Sequence, residues 1–361
     1  MAMEDVMTME KEAVRKRFAF FEVEEWETDY LSQRLAGHDL AFFHDVATPL
    51  SVKVAENCNV LSPFIHTQVN QDLLDKLPLL ELVATRSTGV DHIDLDACTR
   101  RGVLVSNVPY YGENTVAEHT FGLILSLSRN IHRAYLRTTR GDFSLEGLRG
   151  FDLKGKTIGV AGAGAIGLHV IRIAKGFGMS VLAYDPQPNR LIAEVLGFDY
   201  VPLEELLRRS DIVSLHAPAI PQTHHMLNRK TFALMKRGAL LINTARGALV
   251  DTDALIWALD EGILSGAGLD VLEGEELVKE ETQLLAETAA EDKLRMLLRQ
   301  HVLLRRENVV ITPHIAFNSR EALQRILDTT VQNVLGFLEG RPQNVVNPPQ
   351  PGKAPAARRA A

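Results

Sequence analysis

Residues 157–167, TIGVAGAGAIG, join an apolar run to the glycine spacing G-x-G-x-x-G, and residues 167–178, GLHVIRIAKGFG, follow with the apolar spacing of a helix. Gly162 allows a tight turn, Gly164 lets a ligand approach the backbone, and Gly167 lets the helix pack closely on the strand. The start of such a helix offers free N–H groups and positive dipole charge to a phosphate. The stretch therefore predicts a strand, a turn and a helix that bind a pyrophosphate.

The next predicted strand, SVLAYD at residues 180–185, ends in an acidic residue. Asp185 lies eighteen residues after Gly167. At this spacing a carboxylate accepts hydrogen bonds from the adenosine ribose hydroxyls and repels a 2′-phosphate, so we predict NAD as the cofactor in preference to NADP. The residues predicted here to contact it are Gly162, Gly164, Ala165, Ile166, Gly167 and Asp185.

Short apolar runs alternate with helix-like stretches along the whole chain. Before the glycine turn the predicted strands are RFAFFEV (17–23), DLAFFH (39–44), NVLSPF (59–64), LELVATR (80–86) and VLVSNV (103–108). After it they are SVLAYD, IVSLHAP (212–218), ALLINTAR (239–246), GAGLDV (266–271) and NVVITPH (308–314). Such alternation predicts parallel sheets covered by helices on both faces, in two series. Long helices are also expected at residues 112–132 and 319–338.

Length and composition exclude several classes of protein. The chain has 361 residues, of which 46% are hydrophobic and 24% charged, so two globular domains are expected. A net charge of -7 disfavours a nucleic-acid surface. No apolar run of roughly 18 residues and no secretory signal pattern are present, so no membrane contact and a cytoplasmic location are predicted. Cys58 and Cys98 are too few for a disulfide framework and are predicted to be buried thiols.

Three further predicted strands end in polar side chains, and ligands bind at the carboxyl ends of strands in open α/β sheets. These side chains are Arg246, Asp270 and His314. The planar guanidinium of Arg246 can hold a carboxylate and a carbonyl oxygen, and His314 can give a proton to that oxygen. A nearby glutamate would raise the pKa of the histidine. The set therefore suits hydride transfer to a carbonyl carbon.

Other catalytic and metal-binding patterns are weaker. His216, His224 and His225 do not form a metal pattern with further ligands in the sequence, so no metal is predicted. No G-x-S-x-G motif is present, and neither cysteine has a catalytic setting. Residues 273–306 are charged and helix-prone, and they are predicted to be a solvated excursion between two strands.

The chain resembles the D-isomer-specific 2-hydroxyacid dehydrogenase family over residues 17–349. Besides the glycine turn and Asp185, the resemblance rests on the motifs STGVDHID (87–94), NVP (107–109), NTVAEH (114–119), HAP (216–218), NTARG (243–247), LDV (269–271) with Glu275, and PHIAF (313–317). It implies an α/β protein of two doubly wound parallel-sheet domains, one Rossmann-type and one flavodoxin-like. Residues 1–110 and 313–349 would form a discontinuous substrate domain, residues 111–312 the NAD-binding domain, and residues 350–361 a flexible tail. A homodimer is also implied.

The resemblance assigns roles to individual residues. Arg246, Glu275 and His314 would be catalytic, with Glu275 pairing with the histidine, although Glu273 and Glu276 are neighbouring alternatives. The residues expected to bind substrate are Thr88 and Gly89 through their backbone amides, Tyr111, Arg246 and Phe317. The further residues expected to line the cofactor are Val116, His216, Ala217, Pro218, Thr244, Ala245, Asp270 and His314.

Within the family, the opening FAFFEVEEWETDYL, Tyr111 and the long excursion after Glu275 resemble the D-lactate dehydrogenase branch. The prediction is therefore reduction of a small 2-keto acid, foremost pyruvate to D-lactate. Asn318 departs from the tyrosine common in lactate-type members, which keeps a bulkier 2-keto acid, glyoxylate or hydroxypyruvate as alternatives. A non-catalytic NADH-sensing corepressor is the alternative from another class, because such relatives keep the NAD fold.

Overall fold

The computed structural model describes residues 16–274 and 291–347, so the predicted tail at residues 350–361 lies outside the described residues. The chain divides into two compact units. The first unit comprises Met1–Tyr111 and Arg320–Ala361, and the second unit comprises Gly112–Ser319.

Helices and strands alternate through both units. In chain order the elements are β1 (Arg17–Phe21), α1 (Glu25–Arg34), β2 (Asp39–Phe43), β3 (Val60–Ser62), α2 (Gln71–Leu74), β4 (Leu82–Ala84), α3 (Leu95–Arg100), β5 (Leu104–Ser106), α4 (Glu113–Ser128), α5 (Ile131–Thr138), β6 (Thr157–Ala161), α6 (Ala165–Gly176), β7 (Ser180–Tyr184), α7 (Arg190–Leu196), β8 (Asp199–Tyr200), α8 (Leu203–Arg209), β9 (Ile212–Leu215), α9 (Arg229–Phe232), β10 (Ala239–Asn243), α10 (Thr252–Asp260), β11 (Leu264–Leu269), α11 (Glu291–Leu304), β12 (Val309–Ile311) and α12 (Arg320–Leu338). Short 3-10 helices lie at Ser51–Ala55 and Gly247–Leu249.

The first unit contains a parallel sheet in the order β2-β1-β3-β4-β5. Successive residues of a strand point to opposite faces. Phe18 and Phe20 of β1 accordingly enter one buried cluster with Leu327 of α12, whereas Ala19 and Phe21 enter another. Burial on both faces explains why the strand is an unbroken apolar run. The strand order is that of flavodoxin-like sheets.

The second unit contains a parallel sheet of seven strands in the order β12-β11-β10-β9-β6-β7-β8. Its central strands are again buried on both faces: Leu240 and Ile242 of β10 pack into one cluster and Leu241 into the other. Counted from β6, the order is 3-2-1-4-5-6-7, which extends the Rossmann arrangement by one strand. The predicted α/β fold with two parallel sheets is therefore confirmed.

The helical stretch predicted at residues 112–132 is two helices in the structure. Helix α4 ends at Ser128 and α5 begins at Ile131, because Asn130 adopts a left-handed backbone with φ 53°. Asparagine tolerates the left-handed conformation better than most residues, and a residue in that conformation interrupts a right-handed helix. Ile124 and Leu127 of α4 are buried in a cluster with residues of α6 and β6, so this helix forms part of the core of the second unit.

The second unit ends at Ser319, beyond the predicted boundary at residue 313. The residues after β12 stay with this unit because their backbone amides bond to Asp270, which follows β11. His314 donates to the Asp270 carbonyl at 2.9 Å, and Ala316 donates to the Asp270 carboxylate at 2.8 Å. The second unit begins at Gly112, directly after Tyr111 of the first unit.

Two further predictions concern buried thiols and membrane spans. Cys58 and Cys98 are both buried and unpaired with each other, and burial raises the pKa of Cys58 to about 12 and that of Cys98 to about 11. The thiolate forms that would react are therefore scarce at neutral pH. Among residues 16–274 and 291–347, no helix combines the length and apolar character needed to cross a membrane.

Candidate active site

The carboxyl ends of the strands in the second unit meet at one edge of the sheet, because all the strands are parallel. Ligands bind at this edge in open α/β sheets. The strand ends carry most of the predicted site residues of this unit. After β6, β7, β9, β10, β11 and β12 come, respectively, Gly162, Asp185, His216, Thr244 to Arg246, Asp270 and His314.

The glycine turn after β6 has the geometry that a pyrophosphate requires. Gly162 has a φ of 97°, and a Cβ there would lie 2.6 Å from the His216 carbonyl carbon. A Cβ on Gly164 would meet no described atom within 4 Å, so a ligand has room to approach. Gly164 is also the N-cap of α6, and within the described residues no side chain caps it. These residues fit a dinucleotide phosphate at the helix N-terminus.

Asp185 is fixed beside this turn. Its Oδ2 accepts a hydrogen bond from the Ala163 amide at 2.9 Å, and its Oδ1 accepts one from the Gln187 amide at 2.9 Å. An ionised carboxylate has about four acceptor sites, so both oxygens keep capacity for a ligand hydroxyl. The half-buried carboxylate therefore fits a ribose, as the sequence predicts.

His216 packs against the glycine turn in a neutral form. Burial lowers the pKa of its imidazole to about 3, and its Nε2 lies 2.8 Å from Ser214 Oγ. A group with this pKa holds no proton to give at neutral pH. His216 can therefore line a cofactor site, but it is not an acid–base group under physiological conditions.

The other predicted cofactor residues occupy the same region of the second unit. Thr244 follows β10 and its hydroxyl lies 3.0 Å from that of Thr120 on α4. Val116, one turn earlier on α4, is buried. Ala217 and Pro218 follow His216, and Pro218 is exposed.

Arg246 is held by Asn243, a residue for which the sequence predicts no role. The side chain of Asn243, buried at the end of β10, accepts a hydrogen bond from the Ala245 amide at 3.0 Å and donates one to the Arg246 carbonyl at 2.9 Å. Arg246 Nη1 also donates to the Ala245 carbonyl at 2.8 Å. The Asn243 side chain therefore fixes the backbone from which the half-buried guanidinium projects.

His314 lies in a strained turn that Asp270 holds. Its backbone is left-handed, with φ 56°, which is uncommon for a residue other than glycine. Asp270, 1% exposed, accepts hydrogen bonds from the amides of Ile315 at 2.9 Å and Ala316 at 2.8 Å. Strained backbone of this kind persists where its surroundings over-determine it, as these bonds do. Asp270 thus supports the turn of the predicted acid–base residue.

Two more residues support Asp270. The Thr312 hydroxyl donates to Asp270 Oδ1 at 2.5 Å, and His119 Nε2 lies 3.1 Å from that hydroxyl and 3.5 Å from Oδ1. His119 comes from α4, so one helix and two strand ends meet at the carboxylate. The sequence predicts no role for either residue, although His119 belongs to the family motif NTVAEH. Phe317 lies edge-on to the His314 ring, with 6.5 Å between centroids.

The predicted catalytic residue Glu275 and its alternative Glu276 lie outside the described residues. Glu273, the third candidate, is engaged elsewhere in the second unit. Its Oε1 lies 2.6 Å from His225 Nε2, and its Oε2 accepts a hydrogen bond from the Thr252 hydroxyl at 2.7 Å.

The predicted substrate residues of the first unit lie beyond β4 and β5. The Thr88 hydroxyl donates to the Val108 carbonyl at 2.6 Å, and the Ser87 hydroxyl donates to the Gly89 carbonyl at 2.7 Å. Asn107 donates to the Thr88 carbonyl at 2.8 Å. These bonds fix the conformation of the segment. The carbonyl of Tyr111 accepts a hydrogen bond from the Arg325 side chain.

Comparison with known proteins gives matches in both sequence and fold. The family model for "D-isomer specific 2-hydroxyacid dehydrogenase, NAD binding domain" matches residues 121–316, which lie within the second unit. A 2-hydroxyacid dehydrogenase homolog of Haemophilus influenzae is 43% identical over 86% of this chain and 92% of its own. The D-lactate dehydrogenase of Escherichia coli is 38% identical over 90% of this chain and 97% of its own.

Among solved structures, the D-lactate dehydrogenase of Aquifex aeolicus in complex with NAD and lactic acid matches with a TM-score of 0.82. It is 37% identical, and the match covers 92% of this chain and 99% of that chain. A glyoxylate reductase of Korarchaeum cryptofilum is also similar, with 35% identity over 86% of this chain and 90% of its own.

Proposed function

Because the chain belongs to the D-isomer specific 2-hydroxyacid dehydrogenase family and is therefore an NAD-dependent oxidoreductase, we propose that it reduces pyruvate to D-lactate. The observation that carries the choice of substrate is its similarity to D-lactate dehydrogenases over almost the whole chain. The E. coli enzyme matches over 90% of this chain and the A. aeolicus structure over 92%. The balanced reaction consumes pyruvate, NADH and one proton and yields D-lactate and NAD.

NADH, when bound, supplies the hydride that reduces the carbonyl carbon. In this proposal His314 gives a proton to the carbonyl oxygen as the alcohol forms, and takes it back in the reverse direction. Glu275 stabilises the protonated imidazole. Arg246 holds the substrate with two parallel hydrogen bonds to its oxygen atoms, which suits a planar 2-keto acid. The support for His314 is the turn that Asp270 anchors.

Substrate and cofactor contacts follow the same proposal. The backbone amides of Thr88 and Gly89 bind the substrate carboxylate, and Tyr111 and Phe317 lie beside the substrate. In the second unit, the open space at Gly164 and the uncapped start of α6 support binding of the pyrophosphate. The fixed carboxylate of Asp185 supports binding of the ribose.

Glyoxylate is the second candidate substrate, since a glyoxylate reductase also matches over most of the chain. It lacks the methyl group of pyruvate, and one methyl group in a pocket is worth only about 1–3 kcal/mol of discrimination. Asn318 stands where lactate-type relatives often carry tyrosine. Because asparagine is smaller than tyrosine, bulkier 2-keto acids are also candidate substrates.

The test is a steady-state comparison of kcat/KM for NADH oxidation with pyruvate, glyoxylate, hydroxypyruvate, 2-ketobutyrate, 2-ketoisocaproate and phenylpyruvate. The proposal expects the highest value with pyruvate. A higher value with another 2-keto acid would keep the reaction and replace the substrate. An absence of turnover on all of them, with NADH still bound, would contradict the catalytic proposal.

We also propose a homodimer in the cytoplasm, as the composition and the family resemblance predict. Large apolar side chains of α5 and the segment after it are exposed, among them Tyr135 at 67%, Phe143 at 78% and Leu145 at 84%. Exposed apolar patches of this kind commonly mark interfaces between proteins. Light scattering should give twice the chain mass of 40.0 kDa, and the single chain mass would contradict the dimer.

A further inference from the structure

A cluster of metal-ligating side chains lies in the second unit outside the proposed catalytic machinery. It consists of His224, His225 and Glu273, which offer one ligand atom each within 4.8 Å of one another. The sequence predicts no metal, because the histidines show no metal pattern with further ligands; Glu273 lies 48 residues from His225. We propose that this cluster binds a single zinc ion. The proposal is independent of the substrate and of the roles given to the catalytic residues.

The backbone of the two histidines is fixed in a way that keeps the rings adjacent. The His225 amide donates to the Ala248 carbonyl at 2.8 Å, and the His225 carbonyl accepts a hydrogen bond from the Asn228 side chain at 2.8 Å. His225 also has a left-handed backbone, with φ 49°. The two imidazole rings lie with their centroids 3.9 Å apart. Two nitrogen ligands are thus presented side by side.

Hydrogen bonds from Thr252 and Gln300 orient the side chain and backbone of Glu273. Its Oε2 accepts hydrogen bonds from the Thr252 hydroxyl at 2.7 Å and the Thr252 amide at 3.2 Å, which leaves Oε1 directed at His225. The side chain of Gln300 donates to the Glu273 carbonyl at 2.7 Å and fixes its backbone. Metal-binding carboxylates are held in this manner by hydrogen bonds from residues that do not touch the metal.

The donor set selects the kind of ion. Two imidazole nitrogens and one carboxylate oxygen suit zinc and neighbouring transition metals, whereas Ca²⁺ and Mg²⁺ prefer oxygen ligands throughout. Tetrahedral zinc with bonds of about 2.0–2.2 Å requires ligand atoms roughly 3.4 Å apart. His224 is exposed and can rotate to meet this spacing, and its exposure gives the ion a path of entry. His225 Nε2 and Glu273 Oε1, 2.6 Å apart in their hydrogen bond, must separate by roughly 0.8 Å when the ion replaces that bond. Water would complete the coordination.

His224 separates this proposal from a purely structural explanation. In the structural explanation, the hydrogen bond between His225 and Glu273 only connects two loops. His224 takes no part in that bond. A purely structural pair therefore predicts that replacement of His224 changes neither stability nor metal affinity. A zinc site predicts a loss of affinity when that exposed ring is removed.

The experiment uses the full chain without a polyhistidine tag, after treatment with a chelator. Zn²⁺ is titrated in competition with a chromophoric chelator, and Co²⁺ is titrated separately because its visible absorption reports tetrahedral coordination. The variants are His224→Ala and Glu273→Gln. His169→Ala is the matched control, because it removes a partly exposed histidine on α6 whose ring contacts Arg172.

We expect one Zn²⁺ per chain in the unmodified protein and in His169→Ala, with an affinity at least roughly tenfold lower in His224→Ala and Glu273→Gln. The exposed His224 can be replaced without disturbing the fold. If Glu273→Gln fails to fold, the affinity of His224→Ala for Zn²⁺ still tests the proposal. Equal affinity in His224→Ala and the unmodified chain would overturn the proposal. So would an absence of saturable binding by the unmodified chain.

Discussion

At the scale of single residues, the planar guanidinium of Arg246 should be needed for activity beyond its charge. We expect Arg246→Lys to lower kcat/KM for pyruvate by roughly 100-fold, because a lysine ammonium is a point charge that cannot form two parallel hydrogen bonds to the substrate. Steady-state kinetics with each substrate varied would measure this. The Arg246 side chain is half-buried, and its backbone is fixed by Asn243. An unchanged kcat/KM in Arg246→Lys would show that Arg246 does not bind the substrate through two hydrogen bonds.

The carboxylate of Asp185 should set the choice of cofactor. We expect Asp185→Ala to reduce the preference for NADH over NADPH by roughly tenfold, because it removes charge-assisted hydrogen bonds to the ribose and the repulsion of a 2′-phosphate. The ratio of kcat/KM with the two cofactors measures the preference. Asp185→Asn, which keeps an acceptor for the Ala163 amide, separates the loss of charge from disturbance of the turn. An unchanged ratio in both variants would refute the ribose assignment.

Side chains proposed to act directly on a ligand have clearer sequence signals than those that support them. Arg246 and His314 follow apolar runs at strand ends, so their positions could be inferred from the sequence alone. Asn243 and His119 belong to the motifs NTARG and NTVAEH, but the motifs do not show their roles, because their partners, the Arg246 carbonyl and Asp270, are defined only when the chain folds. Glu273 meets His225 across 48 residues of sequence, and no short motif predicts such a contact.

At the scale of elements, the turn after β12 should depend on the carboxylate of Asp270. Asp270 accepts hydrogen bonds from the amides of Ile315 and Ala316, and asparagine would present an N–H group to one of those donors. We therefore expect Asp270→Asn to lower kcat by tenfold or more, since the one backbone donor left unsatisfied costs about 1–3 kcal/mol. The kcat and its pH dependence should both be measured.

Asp211→Asn is a matched control for this prediction. Asp211 precedes β9 and accepts a hydrogen bond from the Thr157 amide at 2.8 Å, so it also supports backbone through a carboxylate. It lies at the amino end of the strand, away from the carboxyl edge of the sheet. We expect its replacement to affect stability more than kcat. Similar kcat values for Asp270→Asn and the unmodified protein would show that His314 keeps its position without this support.

Elements with strong periodicity were predicted well, and their interruptions were not. The apolar runs of β6, β9 and β10 match buried strands because both faces of each strand are covered. The break between α4 and α5 was missed, since apolar residues continue through residues 112–132 and only the backbone conformation of Asn130 ends the helix. Local conformation of this kind is decided by packing around the residue, which the periodicity does not report.

At the scale of the whole molecule, the family and the arrangement of two parallel sheets could both be predicted from the sequence and are confirmed. The division between the two compact units at Ser319 has no signal in the sequence. Residues 313–319 follow a strand of the second unit, and the amides of His314, Ile315 and Ala316 bond back to Asp270, more than forty residues earlier in sequence. The boundary therefore depends on tertiary contacts that have no local pattern.

Stability of the folded chain should fall in mild acid because of His216. Burial lowers the pKa of this imidazole to about 3 from 6.5, so between these values the unfolded chain binds a proton that the folded chain does not. The free energy of unfolding must then decrease as the pH falls below about 6.5. Between about pH 7.5 and about pH 5 we expect this loss to be smaller in His216→Gln by up to about 2 kcal/mol.

Denaturant unfolding of both proteins at each pH measures the difference. The comparison between the unmodified protein and the variant cancels the other groups that titrate in this range. An identical pH dependence would show that His216 is protonated in the folded chain and that its burial does not keep it neutral.

We propose that this chain transfers hydride from NADH to pyruvate with His314 as the proton donor. The most direct measurement follows NADH absorbance with pyruvate for the unmodified protein and for His314→Ala, determines the configuration of the lactate formed, and measures NADH affinity by fluorescence. We expect D-lactate in equal amount to the NADH consumed, and a loss of turnover in His314→Ala with NADH affinity retained. L-lactate as the product, or full turnover by His314→Ala, would contradict it.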